Sequence, residues 1–233
     1  MNAYIFKEGH LKVSSINYDL DSNNSFIHIT NYSLQKFNKF FSKYEKGNEV
    51  SFETFQQYIN ETYKKNINFK EIIYPQFIEI IKHTIKCSKN LINIYNRQNC
   101  FELMGYDFLI DEDFNAFLIE INSNPGLEIS SEIIKMLVPR MIDDALRLTV
   151  DDVFKSDYDK EWKNEKGEYS SKYHVNGYND EENLWEFVCN ANDNDKNNDN
   201  HYNTNNDEMK KKKKNKKFKF KIHRNKKSKK KTK

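Results

Sequence analysis

Residues 105–122, GYDFLIDEDFNAFLIEIN, constrain the fold more than any other stretch of the chain. Two apolar runs, 100–110 and 116–122, flank DEDFN, and acidic and Asn residues between apolar runs mark a hairpin. Side chains alternate faces along a strand, so Glu120 and Asn122 share a face. Leu118 falls on that face too, with Ile119 and Ile121 on the other. Pairing centred on 111–115 makes partner numbers sum to about 226, which sets Asp107 almost opposite Ile119 and one step from Glu120. Two carboxylates and an amide oxygen on a rigid sheet are a hard-oxygen cluster. Such a cluster suits Mg²⁺, which takes few protein oxygens and keeps positions open for phosphate. Carboxylates within about 4–5 Å of each other repel without a cation. Spacing alone leaves a second reading open: a solvated acidic face, with Asn122 starting the turn before Pro125.

The periodicity elsewhere places this hairpin among helices. Residues 4–7 and 11–15 read as a short hairpin around Gly9, and 26–29 (FIHI) as a strand-like run ending at Thr30-Asn31. Residues 36–50, charged and aromatic, read as a loop. Ser51 resembles an N-cap, and Phe52, Phe55, Tyr58, Ile59 and Tyr63 follow at helical spacing. Pro75 can open a second helix, whose apolar face runs from Phe77 to about Ile94. A third amphipathic helix is predicted from Ile133 to about Phe154, with a kink or break at Pro139. Arg140 and Arg147 fall on its polar side. His28 reads as a packed strand residue, Cys100 as a small core residue and Lys36 as a solvated lysine. The fold class is α+β, an antiparallel sheet with packed helices, followed by a disordered tail.

Charge divides the chain sharply. Residues 1–150 are net −3 and residues 151–209 net −10, whereas 210–233 carry 16 basic residues and no acid. The boundaries predicted are a folded domain over 1–156, an acidic extension over 157–189 that is partly ordered at best, an Asn/Asp-rich low-complexity linker over 190–209 and a polybasic disordered tail over 210–233. Three cysteines without regular spacing argue against a disulfide framework and favour a reducing, intracellular compartment. No run approaches the roughly 20 apolar residues that span a bilayer.

The residues around the acidic hairpin carry a family resemblance. FELMGYDFLIDEDFNAFLIEINSNPGLE, FIHITNYSLQK at 26–36, the 44–49 loop with Phe52 and Phe55, and VPRMIDDALRLTVDDVF at 138–154 resemble, in order and spacing, signature segments of the tubulin tyrosine ligase family. The resemblance covers roughly residues 4–155 and implies the C-terminal part of an ATP-grasp fold. It implies that Asp107, Glu120 and Asn122 hold Mg²⁺, and that Thr30 and Asn31 lie beside the ATP phosphates. Tyr32 and Ser33 match positions that contact the incoming free amino acid. Lys12 stands where many members have Arg, keeping the charge but not the bidentate fork.

The implied reaction is ATP-dependent addition of Tyr, Glu or Gly to tubulin through an acylphosphate, with no catalytic side chain separate from the metal and nucleotide site. The sequence after Asn122 resembles glutamylating or glycylating members, and the 44–49 loop the tyrosine-adding enzyme. The family's phosphate-binding lysines, adenine hinge and amino-acid Arg precede the first signature and are expected outside this chain, which opens in mid-sheet. Tubulin and microtubules, with their acidic tails, are the implied partners, in a cytoplasmic, cytoskeletal setting. Two alternatives rest on the tail: a non-catalytic microtubule-binding fragment, or, less favoured, a nucleic-acid-binding protein. The tail is also readable as a nuclear import signal, or as folding back on the acidic body.

Overall fold

The computed structural model describes residues 1–63, 67–95, 97–151, 153–154 and 169–193. The linker expected over 190–209 lies outside these residues from 194 onward, as does the tail, whereas the linker's first residues are described and Ala191 is buried. Residues 1–192 form one compact unit of α+β type. Among the described residues it holds three two-stranded antiparallel ladders: β1 (Asn2–Phe6) with β6 (Trp185–Asn190), β2 (His10–Lys12) with β3 (Glu49–Ser51), and β4 (Gly105–Ile110) with β5 (Ala116–Asn122). The short helices α1 (Ser25–His28) and α2 (Tyr32–Gln35) precede α3 (Phe52–Tyr63), α4 (Tyr74–Ile92) and α5 (Glu132–Thr149).

Several helices start where local chemistry dictates. Ser51 Oγ accepts from Thr54 N at 3.1 Å, capping α3. A π-helical turn, Phe69–Ile73, feeds α4, and Pro75 sits in its first turn, where the missing N–H is harmless. Helix α4 is the central support. Ile81 and Ile85 pack with Ala3, Cys189 and Ala191 beneath β1 and β6. Phe77 joins Ile59, Phe69, Ile73 and Phe114 in a second cluster.

The structure corrects several expectations. Residues 4–7 and 11–15 do not pair with each other: β1 takes β6 as partner and β2 takes β3. Gly9 between them is needed because a Cβ there would lie 2.8 Å from the Phe52 ring. FIHI is not a strand. Asn24 caps a helical turn through Phe26 N, and His28 is exposed, its Nε2 2.6 Å from Ser22 O. Helix α5 ends at Thr149 and runs through Pro139 unbroken. Cys100 is exposed.

The largest difference concerns Arg140. Its side chain is fully buried, as is that of Asp144 one turn later. Arg140 Nε donates to Asp144 Oδ2 at 2.8 Å. The two terminal nitrogens donate to the carbonyls of Tyr173 (3.0 Å), Asn179 (3.1 Å) and Glu182 (2.5 Å), and to Asp180 Oδ1 at 3.4 Å. All five guanidinium N–H groups thereby have acceptors. Asp144 also receives Leu184 N at 2.9 Å and Arg147 Nη1 at 3.0 Å. Arg147 in turn lies over the Tyr169 ring, 3.3 Å from its centroid. Residues 169–192, beyond the boundary at 156, thus join the compact unit. They bring Val175 and Leu184 against Leu137 and deliver β6 to β1.

Removing one partner of a buried pair leaves an uncompensated charge. Arg140→Met is expected to lose about 3–5 kcal/mol of unfolding free energy. Arg140→Lys should recover little of this, because an ammonium cannot span these carbonyls. Urea titrations of both variants measure it, and a loss below about 1 kcal/mol would contradict the role given to this pair.

Candidate functional site

The acidic hairpin is docked firmly on α4. Phe108 stacks on Phe77 with centroids 4.2 Å apart, and Tyr106 OH lies 2.9 Å from Thr84 Oγ1. Gln76 grips the turn, donating to Phe114 O at 2.9 Å and accepting from Ala116 N at 3.0 Å. Asp111 Oδ1 accepts from the backbone N–H groups of Asp113 (3.0 Å) and Asn115 (2.7 Å). Phe114, with φ 62°, turns its ring into the core. The sequence marks 111–115 as a hairpin loop and gives no sign of this anchor.

With Phe108 and Tyr106 facing the helix, the other face of the hairpin carries the carboxylates. Asp107 pairs directly with Glu120, and Gly105 with Asn122. The register shifts between Asp107 and Phe108, so β5 has one extra residue, Ile119, a β-bulge. Asp107 therefore lies opposite Glu120 rather than Ile119. Leu118 pairs with Phe108 and is moved to the helix-facing side, off the face it was expected to share with Glu120. Asn122 Nδ2 donates to Glu120 Oε1 at 3.2 Å. Across from Asn122, a Cβ on Gly105 would stand 3.0 Å from Pro125 Cβ. A side chain there would require Pro125 in the turn after β5 to give by a few tenths of an ångström.

Like charges directly opposed across a ladder are unfavourable. Lys12 offsets them: its Nζ lies 4.0 Å from Asp107 Oδ2, brought there by the β2–β3 ladder. Two further groups back this lysine, and sequence reasoning noticed neither. Glu49, buried, is the register partner of Lys12 and accepts a short hydrogen bond from Ser131 Oγ, the N-cap of α5. His10 Nε2 is 4.0 Å from Glu49 Oε1. Burial pushes the His10 pKa down, opposed by Glu49, assisted by Lys12 and opposed again by Asp107.

The Thr30–Ser33 segment is held by Gln35, which is fully buried. Its Oε1 accepts from Ser15 N (3.1 Å) and Ser15 Oγ (2.8 Å), and its Nε2 donates to Phe26 O (2.9 Å) and Ile29 O (2.6 Å). Asn48 reinforces the same knot through Val13 O (3.1 Å) and Ser15 Oγ (2.7 Å). Asn31 Oδ1 caps α2, accepting from Ser33 N (2.9 Å) and Ser33 Oγ (2.8 Å). Tyr32 is exposed, its ring edge-on to Phe41 at 5.7 Å. His10, Lys12, Thr30 and Asp107 line one open cleft. Glu120 and Asn122 share a sheet face with Asp107 but are outside the cleft lining, as are Asn31, Tyr32 and Ser33. Among the described residues no three His, Cys, Asp or Glu side chains converge as a metal-binding group. A cation on this face would rely on two carboxylates and the Asn122 amide oxygen, a hard-oxygen set that fits Mg²⁺.

Comparison with known proteins adds a second line of observation. The sequence profile of the Tubulin-tyrosine ligase family matches residues 1–159. Tubulin glycylase 3B of Tetrahymena thermophila is 34% identical over 149 residues, 64% of this chain and 12% of that protein. Tubulin glycylase 3A of Drosophila melanogaster is 31% identical over 158 residues, 64% and 15% of the two chains. A probable alpha-tubulin polyglutamylase of Tetrahymena thermophila is 29% identical over 163 residues, 69% and 38%. The chain thus spans well under half the length of these relatives. No helix among the described residues is long and apolar enough to cross a membrane.

The lowered His10 pKa has a stability consequence. The folded state binds this proton less readily than the unfolded chain, so its contribution is present above the ordinary value of 6.5 and is lost as pH falls through the lower folded value. Wild type should lose stability below about pH 6.5 more steeply than His10→Gln. Denaturant midpoints between pH 7.5 and pH 5, compared across about that range for both proteins, test this. Parallel curves would refute it.

Proposed function

The chain belongs to the tubulin-tyrosine ligase family, and from that premise we propose that it is the metal-holding part of an ATP-dependent ligase that joins a free amino acid to tubulin. The observation that carries this reading is the direct pairing of Asp107 with Glu120, with Asn122 on the same face and Lys12 at their edge. The proposed fold is the C-terminal part of an ATP-grasp domain. In the reaction, the γ-phosphoryl group of ATP passes to a carboxylate oxygen of the protein substrate and ADP leaves. The amine of the free amino acid then displaces phosphate at the carbonyl carbon, losing a proton as the amide forms. The amine is the nucleophile, so no side chain of the protein has to be.

Each residue has a task within that scheme. Asp107 and Glu120 supply anionic oxygens, and the Nδ2 bond to Glu120 leaves Asn122 Oδ1 as the third donor. Bound there, Mg²⁺ neutralises charge that builds on phosphate oxygens. Thr30, in the cleft, and Asn31, at the start of α2, offer donors to the phosphates. Lys12 attracts the carboxylate of the amino acid as a point charge, with Tyr32 and Ser33 contacting its remainder. The names of the relatives favour glycine or glutamate over tyrosine as the group added. Action on tubulin sets the place of work at microtubules.

Two measurements test the proposal. Mn²⁺, standing in for Mg²⁺, should bind the chain, and Glu120→Gln should weaken that binding about tenfold or more, read by electron paramagnetic resonance. Residues 1–159, exchanged for the matching segment of tubulin glycylase 3B, should leave that protein able to label tubulin with an amino acid in the presence of ATP. Glu120→Gln in the chimera should lower transfer about 100-fold. A chimera that folds but transfers none of Gly, Glu or Tyr would overturn the reading.

A further inference from the structure

Residues 32–48 have the opposite charge from the fold that carries them. Lys36, Lys39, Lys43 and Lys46 face a single acid, Glu45, whereas residues 1–150 as a whole are net −3. All four lysines are exposed. Lys46 is paired with Glu132 at 3.6 Å. Among the described residues no ion pair joins Lys36, Lys39 or Lys43 to a carboxylate. Each of these three instead rests on aromatic rings. Lys36 Nζ is 5.2 Å from the Phe37 centroid and 5.8 Å from that of Tyr32. Lys39 is 4.8 Å and Lys43 5.0 Å from the Phe40 ring, and Lys43 is also 5.1 Å from Tyr44.

A merely solvated stretch does not account for two features. Phe37 and Tyr44 are 74% and 70% exposed, a large apolar area to leave in water on a loop. The backbone is also fixed in shape by specific bonds. Ser42 and Asn48 adopt left-handed φ values of 56° and 55°. Asn48 Oδ1 accepts from Ser42 N at 2.9 Å, and Ser42 Oγ accepts from Gly47 N at 2.8 Å, which holds these positions.

We propose that Lys36, Lys39 and Lys43, with Phe37, Phe40 and Tyr44, form a docking surface for an acidic, extended peptide. Carboxylates of such a peptide would span the three ammoniums while its side-chain methylenes cover the exposed rings. Helix α2 carries both Tyr32 and, at its C-cap, Lys36. A peptide leaving the patch at Lys36 therefore arrives at Tyr32 and Ser33. The surface thus selects the segment that presents the carboxylate to be modified, a role that rests on the ligase reading. Nucleic acid fits less well, because ammoniums stand over the rings that would have to stack on bases.

The test needs neither ATP nor turnover, so it is separable from the ligase activity. A fluorescent deca-glutamate peptide is titrated into the full chain by anisotropy. The polybasic tail contributes a background common to every variant. Lys36→Glu/Lys39→Glu/Lys43→Glu should weaken binding at least about fivefold relative to Lys82→Glu/Lys89→Glu/Lys135→Glu, which changes net charge equally. The milder Lys36→Gln/Lys39→Gln/Lys43→Gln variant guards against misfolding and should move in the same direction. Carbodiimide cross-linking should join the peptide to Lys36, Lys39 or Lys43 ahead of Lys82, Lys89 and Lys135. Equal weakening by patch and control variants, cross-links confined to the tail, or displacement of the peptide by oligouridylate at an equal or lower concentration would each overturn the proposal.

Discussion

The buried pair of Arg140 and Asp144 is the interaction on which the rest of the fold depends. It lies on α5, yet its hydrogen bonds reach residues 173–184, a stretch with little hydrophobicity of its own. A charged pair taken out of water is stable only when every donor finds an acceptor. Here the acceptors are carbonyls that would otherwise be unsatisfied, so the pair and the loop complete each other. Trp185 Nε1 donates to Met141 O at 3.0 Å, and Lys7 N donates to Leu184 O at 2.9 Å. The loop fixed by Arg140 thereby sets where β6 begins, and β6 sets β1.

The candidate site rests on a second, local constraint. The hairpin is anchored on one face and bare on the other, so what α4 holds by Phe77, Gln76 and Thr84 determines where the carboxylates stand. The extra residue Ile119 then brings Asp107 and Glu120 into direct opposition. Lys12 arrives by an independent route, through β3 and the Ser131 cap of α5. Three separate parts of the chain are thus tied to one small polar surface. The basic face at Lys36–Lys43 continues from α2, which the buried amide of Gln35 locks to the same framework.

Much of this was legible because it is local. The hairpin, the Ser51 cap and the apolar faces of α3 and α4 follow from patterns within about 20 residues, and the structure reproduces them. What stayed hidden depends on distant partners. The period of α5 marks Arg140 as outward, and nothing nearby announces acceptors 33 to 42 residues away. Alternation sets Glu120 and Asn122 on one face correctly, but a bulge leaves no periodic trace, so Leu118 was assigned to the wrong side. Gln35 and Asn48 look like ordinary polar loop residues, because satisfaction of a buried amide is a property of the assembled fold. His10 and Glu49 escaped attention for the same reason.

The pairing of β1 with β6 carries a consequence for how the protein comes into being. Asn2 and Asn190 meet side chain to side chain across 188 positions of sequence. Closing so long a loop is entropically slow, and a contact of that separation cannot form until nearly the whole folded unit has been synthesised. Until then β1 lacks its β6 partner, and Ala3 has Ile81 and Ile85 of α4 beside it but not Cys189 and Ala191. The β2–β3 ladder, α3, α4 and the carboxylate hairpin can assemble earlier from nearer neighbours. On the ribosome, the face carrying Asp107, Glu120 and Lys12 can therefore assemble before the β1–β6 ladder closes.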